Sequence, residues 1–364
     1  MGVRLLVDAA EFWPVFAEDA KSATSRCYVQ TLTFEADRAG RGLADLLLAL
    51  PSTVDRRLIL DDFSHYLHND RLLYTPSALR DAGLWREARD SWALVRSLAH
   101  HGVSVRWTNK MHGRLYRLTN RNHKKILVID DRVAYIGGVN FTDHNFGWHD
   151  LMLRIDDPDM VAWLADDILA TFAGRNQGVS RRFRDGQLTL LDGKHGWPLQ
   201  QQLFDQIASA RQEVVVISSY ASEPYFDPLE EAARRGARVM ILTPAVTNWG
   251  WFDAYTRIEC KRRGFELYRL PWRMSHMKAL LIDSKRLVVG SSNFDYFGHL
   301  THQELLFETT DDGLIRDFRK RIFEKDVALA SRHVPAGRFP WQDRLVRFLL
   351  RTGFFLTPKF NRVF

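Results

Sequence analysis

Two histidines head two copies of one pattern. The first copy is His123-Lys124-Lys125-Ile126-Leu127-Val128-Ile129-Asp130, then six residues, then Gly137-Gly138-Val139-Asn140. The second is His276-Met277-Lys278-Ala279-Leu280-Leu281-Ile282-Asp283, then six residues, then Gly290-Ser291-Ser292-Asn293. Both read H-x-K-x4-D-x6-G-[GS]-x-N without a gap. A lone H-x-K-x4-D arises easily by chance, but two copies with the same tail do not. These residue types suit attack on an anionic phosphodiester. Lys125, Lys278, Asn140 and Asn293 offer charge and donors to the non-bridging oxygens as charge builds there. One imidazole can attack phosphorus, while the other protonates the leaving alkoxide and later activates an acceptor. That chemistry needs no metal or other cofactor, and no carboxylate cluster is placed to hold one.

A histidine in either role needs a partner on its other ring nitrogen. Asp150 follows His123 by 27 residues and Glu304 follows His276 by 28. The near-equal offsets mark the repeat a second time, and these carboxylates are assigned to the histidines. Asp130 and Asp283 sit at strand ends with the opposite parity. They are expected to brace the motif through hydrogen bonds rather than touch substrate.

The elements that position these groups also repeat. ILVID and ALLID are strand sequences, and side chains two apart on a strand share a face, so each histidine points with its lysine. A short turn should return the chain through YIGG or VVGS and bring each asparagine beside its own histidine. Ahead of the motif the first half predicts helices over residues 12–22 and 43–50 and strands over 27–34 and 57–60. The second half predicts helices over 198–211 and 228–235 and strands over 213–219 and 237–242. Alternation of this kind implies α/β layers. Residues 74–101 look like an amphipathic helical insertion in the first half. Residues 181–197, charged and turn-rich, read as the connection between the halves.

Composition narrows the setting. A chain of 364 residues, 46% of them hydrophobic, suits two globular units. Cys27 and Cys260 cannot make a disulfide framework or a closed zinc site, so a reducing cytosol is the simplest home. The first residues lack the apolar core and cleavage site of a signal peptide, and no run of 18 uncharged apolar residues is expected to span a bilayer. The net charge of +7 favours a polyanion, either nucleic acid or an anionic lipid surface. Residues 337–364 interleave Arg338, Arg344, Arg347, Arg351, Lys359 and Arg362 with Trp341, Phe348, Phe354, Phe355 and other apolar residues. Such a segment either lies in a membrane interface or closes the fold as a packed helix.

With RNHKKILVIDDRVAYIGGVNFTD, WHDLMLRIDDPDM and SHMKALLIDSKRLVVGSSNFD in view, the chain resembles the phospholipase D superfamily, marked by paired HKD motifs. Within it the branch of bacterial cardiolipin synthases and related phosphatidyltransferases is the most similar. The resemblance implies two phospholipase D-like α/β halves, each a mixed sheet flanked by helices, related by a pseudo-twofold axis with one active site at their interface. Residues 1–180 would form the first half, 181–197 the connection, 198–330 the second half and 331–364 a basic aromatic tail. It further implies a phosphohistidine intermediate with His123 as nucleophile and His276 as acid and base. The expected substrates are a phospholipid such as phosphatidylglycerol and an alcohol acceptor, met by a cytoplasmic protein held peripherally at the inner face of the membrane. A phospholipase D hydrolase or a metal-independent nuclease of the same superfamily are the alternatives. Relatives often place an asparagine two residues before the second carboxylate, where this chain has His302. They also often carry an Arg-Ser pair after NFD, where this chain has Tyr296-Phe297. Both departures bear on the acceptor rather than on the phosphoryl chemistry. His149 and His302 would serve as ordinary structural histidines or border the pocket. Arg114, Arg117, Arg121 and Lys124 would meet a lipid headgroup or a nucleic-acid backbone, or lie along a solvated strand edge. Trp249 and Trp251, with Phe252 and Tyr255, would guide an acyl chain or pack into the core.

Overall fold

The structure is a computed structural model that describes residues 2–111, 119–194, 196–248, 250–333, 341–342, 344–345 and 347–352. In chain order the strands of the first half are β1 (Val3–Val7), β2 (Arg26–Thr31), β3 (Asp55–Asp61), β4 (Leu67–His68), β5 (Arg71–Leu72), β6 (Ser104–Thr108), β7 (Ile126–Ile129), β8 (Val133–Gly137) and β9 (Leu151–Ile155). Those that follow are β10 (Val179–Arg182), β11 (Gln187–Asp192), β12 (Glu213–Ser218), β13 (Arg238–Pro244), β14 (Glu266–Leu270), β15 (Lys278–Ile282), β16 (Arg286–Gly290), β17 (Gln303–Thr309) and β18 (Ser331–His333). Among the described residues they form two large mixed sheets and one small hairpin. The first sheet runs β1-β9-β8-β7-β2-β3-β6, and the second runs β10-β11-β17-β16-β15-β12-β13-β14-β18.

The two sheets share a plan. In each, three strands are parallel, β2-β3-β6 and β12-β13-β14, and the motif strands pair antiparallel to the first of them. The motif strand, its return and the strand after the carboxylate then form a meander, β7-β8-β9 and β15-β16-β17.

Period-two alternation assigns each strand two apolar faces, as a sheet covered on both sides requires. Ile126 and Val128 face a core that also takes Ala279, Leu281 and Val289 from the second sheet, so the sheets face each other. The helices Pro158–Phe172 and Asp312–Phe318 fill the same layer through Leu164, Ile168, Leu314 and Phe318. Leu127 and Ile129 face outward into a cluster with Phe12 and Phe16 of the helix Asp8–Lys21 and Leu43 and Leu47 of the helix Arg38–Ala49. Leu280 and Ile282 do the same with Phe204 and Leu229 on the other side.

The expected connection over residues 181–197 holds most of a strand hairpin, which runs from Val179 to Asp192. β10 and β11 pair with each other, and β11 extends the second sheet along β17. Leu188 and Leu190 bury into the central core while Arg181 and Arg182 remain outside, a pattern the flanking charge obscures. The insertion in the first half also begins earlier than residue 74. It opens with the β4-β5 hairpin, whose turn residues Asn69 and Asp70 take φ of 47° and 57°, and closes with the helix Ala82–His100. Among the described residues no helix is long and apolar enough to cross a membrane.

Candidate active site

His123 and His276 each end an extended segment that crosses toward the other half. The residue before His123 bridges to Gln303, and the His123 amide donates to the Gln303 carbonyl at 2.9 Å. Symmetrically, the residue before His276 bridges to His149, and the His276 amide donates to the His149 carbonyl at 2.7 Å. Gln303 and His149 immediately precede the two carboxylates, so each carboxylate is delivered to the histidine of the opposite half. His276 Nδ1 lies 2.7 Å from Asp150 Oδ2 in a hydrogen bond. His123 Nδ1 lies 2.9 Å from Glu304 Oε1, near but out of line for a hydrogen bond. Offsets along one chain show that the carboxylates repeat; they carry no information about this exchange.

Each carboxylate is held from behind. Ser291 donates to Glu304 Oε2 at 2.5 Å. The equivalent position in the first half is Gly138, and a Cβ there would stand 2.1 Å from Asp150 Oδ1. The G-[GS] step of the motif is therefore a carboxylate seat, empty in one half and hydroxyl-bearing in the other. Gly138→Ala is expected to displace Asp150 from His276 and lower turnover at least about tenfold, because a misplaced partner loses the orientation an acid–base histidine needs. Turnover measured beside a thermal melt checks this, and unchanged turnover would contradict it.

Asp150 has a further anchor. Its amide donates to Asp8 Oδ1 at 3.0 Å, and Asp8, at φ 62°, donates its own amide back to the Asp150 carbonyl at 2.8 Å. His149 stands between Asp8 Oδ1 at 2.7 Å and Asp326 Oδ2 at 3.2 Å. Burial opposes its charge, yet those two carboxylates raise it to about 9. It ties the N-terminal helix to the C-terminal half rather than bordering the cavity. On the other side Asp61 does comparable work. It accepts from Arg121 Nη1 at 2.7 Å, from the Asn122 amide at 2.7 Å and from Asn109 at 3.1 Å.

The histidines meet in a cavity of about 340 Å3 that Asn140, Asn293, Arg121 and His302 also line. Asn140 is fixed by Thr31 and Asn145 at 3.1 Å each, and the Asn293 side-chain oxygen has no hydrogen-bond partner among the described residues. The lysines lie deeper. Lys125 and Lys278 are buried below the floor, each donating to the carbonyl of its own histidine. Asp130 and Asp283 lie at the far strand ends. Asp130 accepts the amides of Thr24, Ser25 and Arg26, and Asp283 those of Arg211, Gln212 and Glu213. Lys124 is neither at a solvated edge nor in the cavity, since it is buried against Asp167 at 2.6 Å. Arg114, Arg117 and Trp249 fall outside the described residues, as does the Trp251 side chain; Phe252 lines the cavity and Tyr255 is buried.

Sequence reasoning missed part of the wall. The β4-β5 segment contributes Phe63, Leu67, Asp70 and Leu72, and Trp148 packs at a tilt with its ring 5.1 Å from that of His276. Trp148 precedes Asp150 by two residues, as His302 precedes Glu304, so its position was readable from the repeat. Asp295, two residues after Asn293, also faces the cavity, and burial pushes it up to about 6.

Burial governs the electrostatics. It pushes His123 down to about 3 and His276 to about 4, so both imidazoles rest neutral at neutral pH. It lowers Lys125 to about 7, with Lys278 adding to the fall, and Lys278 to about 8. Burial alone would raise Glu304, but the facing His123 holds its carboxyl below the usual carboxylate range. A neutral imidazole with a free lone pair beside a second imidazole, over two convergent lysines, can support nucleophilic attack with proton transfer to the leaving group. Among the described residues one group of three brings metal-type donor atoms within 4.8 Å of one another, His123, His302 and Glu304.

A family model described as the PLD-like domain of cardiolipin synthase matches residues 16–171 and 203–327. Cardiolipin synthase A of Pectobacterium carotovorum subsp. carotovorum (strain PC1) is 25% identical over 299 residues, covering 73% of this chain and 60% of that protein. The minor cardiolipin synthase of Bacillus subtilis (strain 168) is 26% identical over 256 residues, 63% of each. The chain thus spans 60% and 63% of the length of these two relatives. Among solved structures the phosphatidylserine synthase of Haemophilus influenzae Rd KW20 shares the fold with a TM-score of 0.71 at 13% identity, covering 100% of this chain and 93% of that one.

Proposed function

The chain belongs to the cardiolipin synthase family with PLD-like domains, and on that premise we propose that it transfers a phosphatidyl group from one alcohol to another at the cavity shared by His123 and His276. The observation that carries the reading is the crossed pair of imidazole–carboxylate contacts opening into one apolar-walled cavity. His123 Nε2 attacks phosphorus, an N–P bond forms, and the bond to the departing alcohol breaks as His276 delivers its proton to that oxygen. An acceptor alcohol then gives its proton to His276 and attacks phosphorus, and the N–P bond breaks. The anionic phosphodiester itself favours the imidazolium that the first step needs, countering the burial that keeps His276 neutral in the free protein. Asn140 and Asn293 donate to the non-bridging oxygens, and the buried lysines bias the floor toward anions. Water in place of the acceptor makes the same site a hydrolase.

Leu32, Phe63, Leu67, Leu72, Phe252 and Phe297 give the cavity walls suited to acyl-bearing substrates such as phosphatidylglycerol and less suited to a nucleic-acid backbone. Peripheral contact with the inner face of the membrane would supply such substrates. Trp341, Leu345, Phe348 and Leu349 are exposed at helical spacing, beside a chain end that Arg347 anchors to Glu259 and that is rich in arginine.

Protein incubated with phosphatidylglycerol vesicles, with and without added glycerol or ethanolamine, tests the proposal by mass spectrometry of the lipids. Cardiolipin or a new phosphatidyl-alcohol is expected, and no lipid product under any condition would contradict it. The pH dependence follows from the buried cations. Raising pH strips charge from Lys125 near 7 and Lys278 near 8, weakening the attraction for the phosphodiester, so kcat/KM is expected to fall at least about tenfold between pH 7 and 9. A kcat/KM constant through pH 9 would show that these lysines do not govern binding of the anion.

A further inference from the structure

The two catalytic histidines differ in what faces them. Two residues before Asp150 stands Trp148, packed 5.1 Å from the His276 ring. Two residues before Glu304 stands His302, with its ring 5.4 Å from that of His123. On the His276 side the imidazole and carboxylate complete an aligned hydrogen bond. On the His123 side they do not. His123 Nδ1, His302 Nδ1 and Glu304 Oε1 are buried, and none has an aligned hydrogen-bond partner among the described residues. Glu304 Oε1 lies 2.9 Å from His123 Nδ1 and 3.5 Å from His302 Nδ1.

Those separations also fit a shared metal ion. Zinc–nitrogen and zinc–oxygen bonds of about 2.0–2.1 Å place neighbouring ligands of a tetrahedron roughly 3.3 Å apart, and the two measured edges bracket that value. The outer contacts are also in place. Ser291 holds the other oxygen of Glu304 at 2.5 Å, and Phe297 stacks on His302 with an interplanar angle of 22°. Partners of this kind fix ligand orientation in metal sites. The fourth position would open into the cavity that His123 and His302 both line.

We propose that His123, His302 and Glu304 form a three-ligand site for a divalent transition ion of the zinc or cobalt class, and that its occupancy arrests His123. An ion on His123 Nδ1 requires that nitrogen's lone pair. The proton moves from Nδ1 to Nε2, and Nε2 then has no lone pair with which to attack phosphorus. The ion is an inhibitor of this site and takes no part in turnover. Binding itself is independent of the proposed transferase activity; only the arrest rests on it.

Chelator-stripped full-length protein titrated with Co2+, followed by visible absorption and by calorimetry, tests the site. One equivalent should bind with the intense absorption of a tetrahedral ion, and zinc should displace it. His276→Asn should retain that equivalent. His302→Asn should weaken it by more than about 100-fold, beyond the 10–100-fold typical of losing an outer partner. His302→Gln, with a melt of each variant, guards against misfolding. Absence of stoichiometric binding to the wild type would overturn the proposal, as would equal affinity in the folded His302 variants or equal loss in His276→Asn. Equimolar zinc should also suppress phosphatidyl transfer, with excess chelator restoring it. Full turnover with the site occupied would overturn the arrest, while a protein that binds Co2+ as described yet makes no lipid product would refute only the proposed activity.

Discussion

His123→Asn is expected to abolish turnover, by at least about 10^4-fold, while the protein remains folded. The magnitude follows from the unit behaviour of nucleophile and proton carrier, where losing either member of such a pair costs nearly as much as losing both. Asparagine fills similar space and keeps a polar group facing Glu304, so the buried carboxylate is not left wholly without a partner. The local backbone is held by contacts the side chain does not make, namely the amide bond to the Gln303 carbonyl and the Asn122–Asp61 contact. Turnover on phosphatidylglycerol vesicles beside a thermal melt reads the effect. A rate within tenfold of wild type would remove His123 from the nucleophile's role.

The second large effect separates the crossed pairing from a pairing within each half. Asp150→Asn should cost about 10^2–10^4-fold, the range expected when an acid–base histidine loses the carboxylate that fixes its tautomer. The loss should track His276, although Asp150 belongs to the half that carries His123. In a double-mutant cycle, Asp150→Asn should add little once His276 is asparagine. Combined with Glu304→Gln it should add nearly in full, because one carboxylate orients the proton carrier and the other the nucleophile. An Asp150→Asn loss that persists at full size in the His276→Asn background would contradict the geometry, in which Asp150 Oδ2 is 2.7 Å from His276 Nδ1 and Glu304 Oε1 is 2.9 Å from His123 Nδ1.

Much of this site could be read before any coordinates, because the chemistry repeats within the chain. Two H-x-K-x4-D-x6-G-[GS]-x-N blocks identify the strands β7 and β15 and their returns, and the alternation of ILVI and KALLI follows from the pleat alone. The α/β class follows from the alternation of strands and helices, and the two mixed sheets flanked by helices from the family resemblance. What stayed hidden depends on contacts between residues far apart in sequence. The exchange of Asp150 and Glu304 between halves arises where the segment before β7 meets the start of β17 and the segment before β15 meets His149, and no periodicity reports such a crossing. Residues 179–192 hide a hairpin because its apolar side chains sit among arginines and a turn. The β4-β5 wall of the cavity is too short to show a period at all. The burial of Lys125, Lys278 and Lys124 was equally illegible, since a lysine's usual place is solvent.

The central claim is that one site, assembled from both halves, passes a phosphatidyl group through His123. The most direct measurement is capture of that intermediate. Full-length protein mixed briefly with a short-chain phosphatidylglycerol, quenched in alkali to spare the N–P bond, would be digested and read by mass spectrometry. The account predicts a phosphatidyl adduct on the peptide bearing His123, present in wild type and absent from His123→Asn. An adduct on His276 instead, or lipid turnover with no adduct on either histidine, would contradict it.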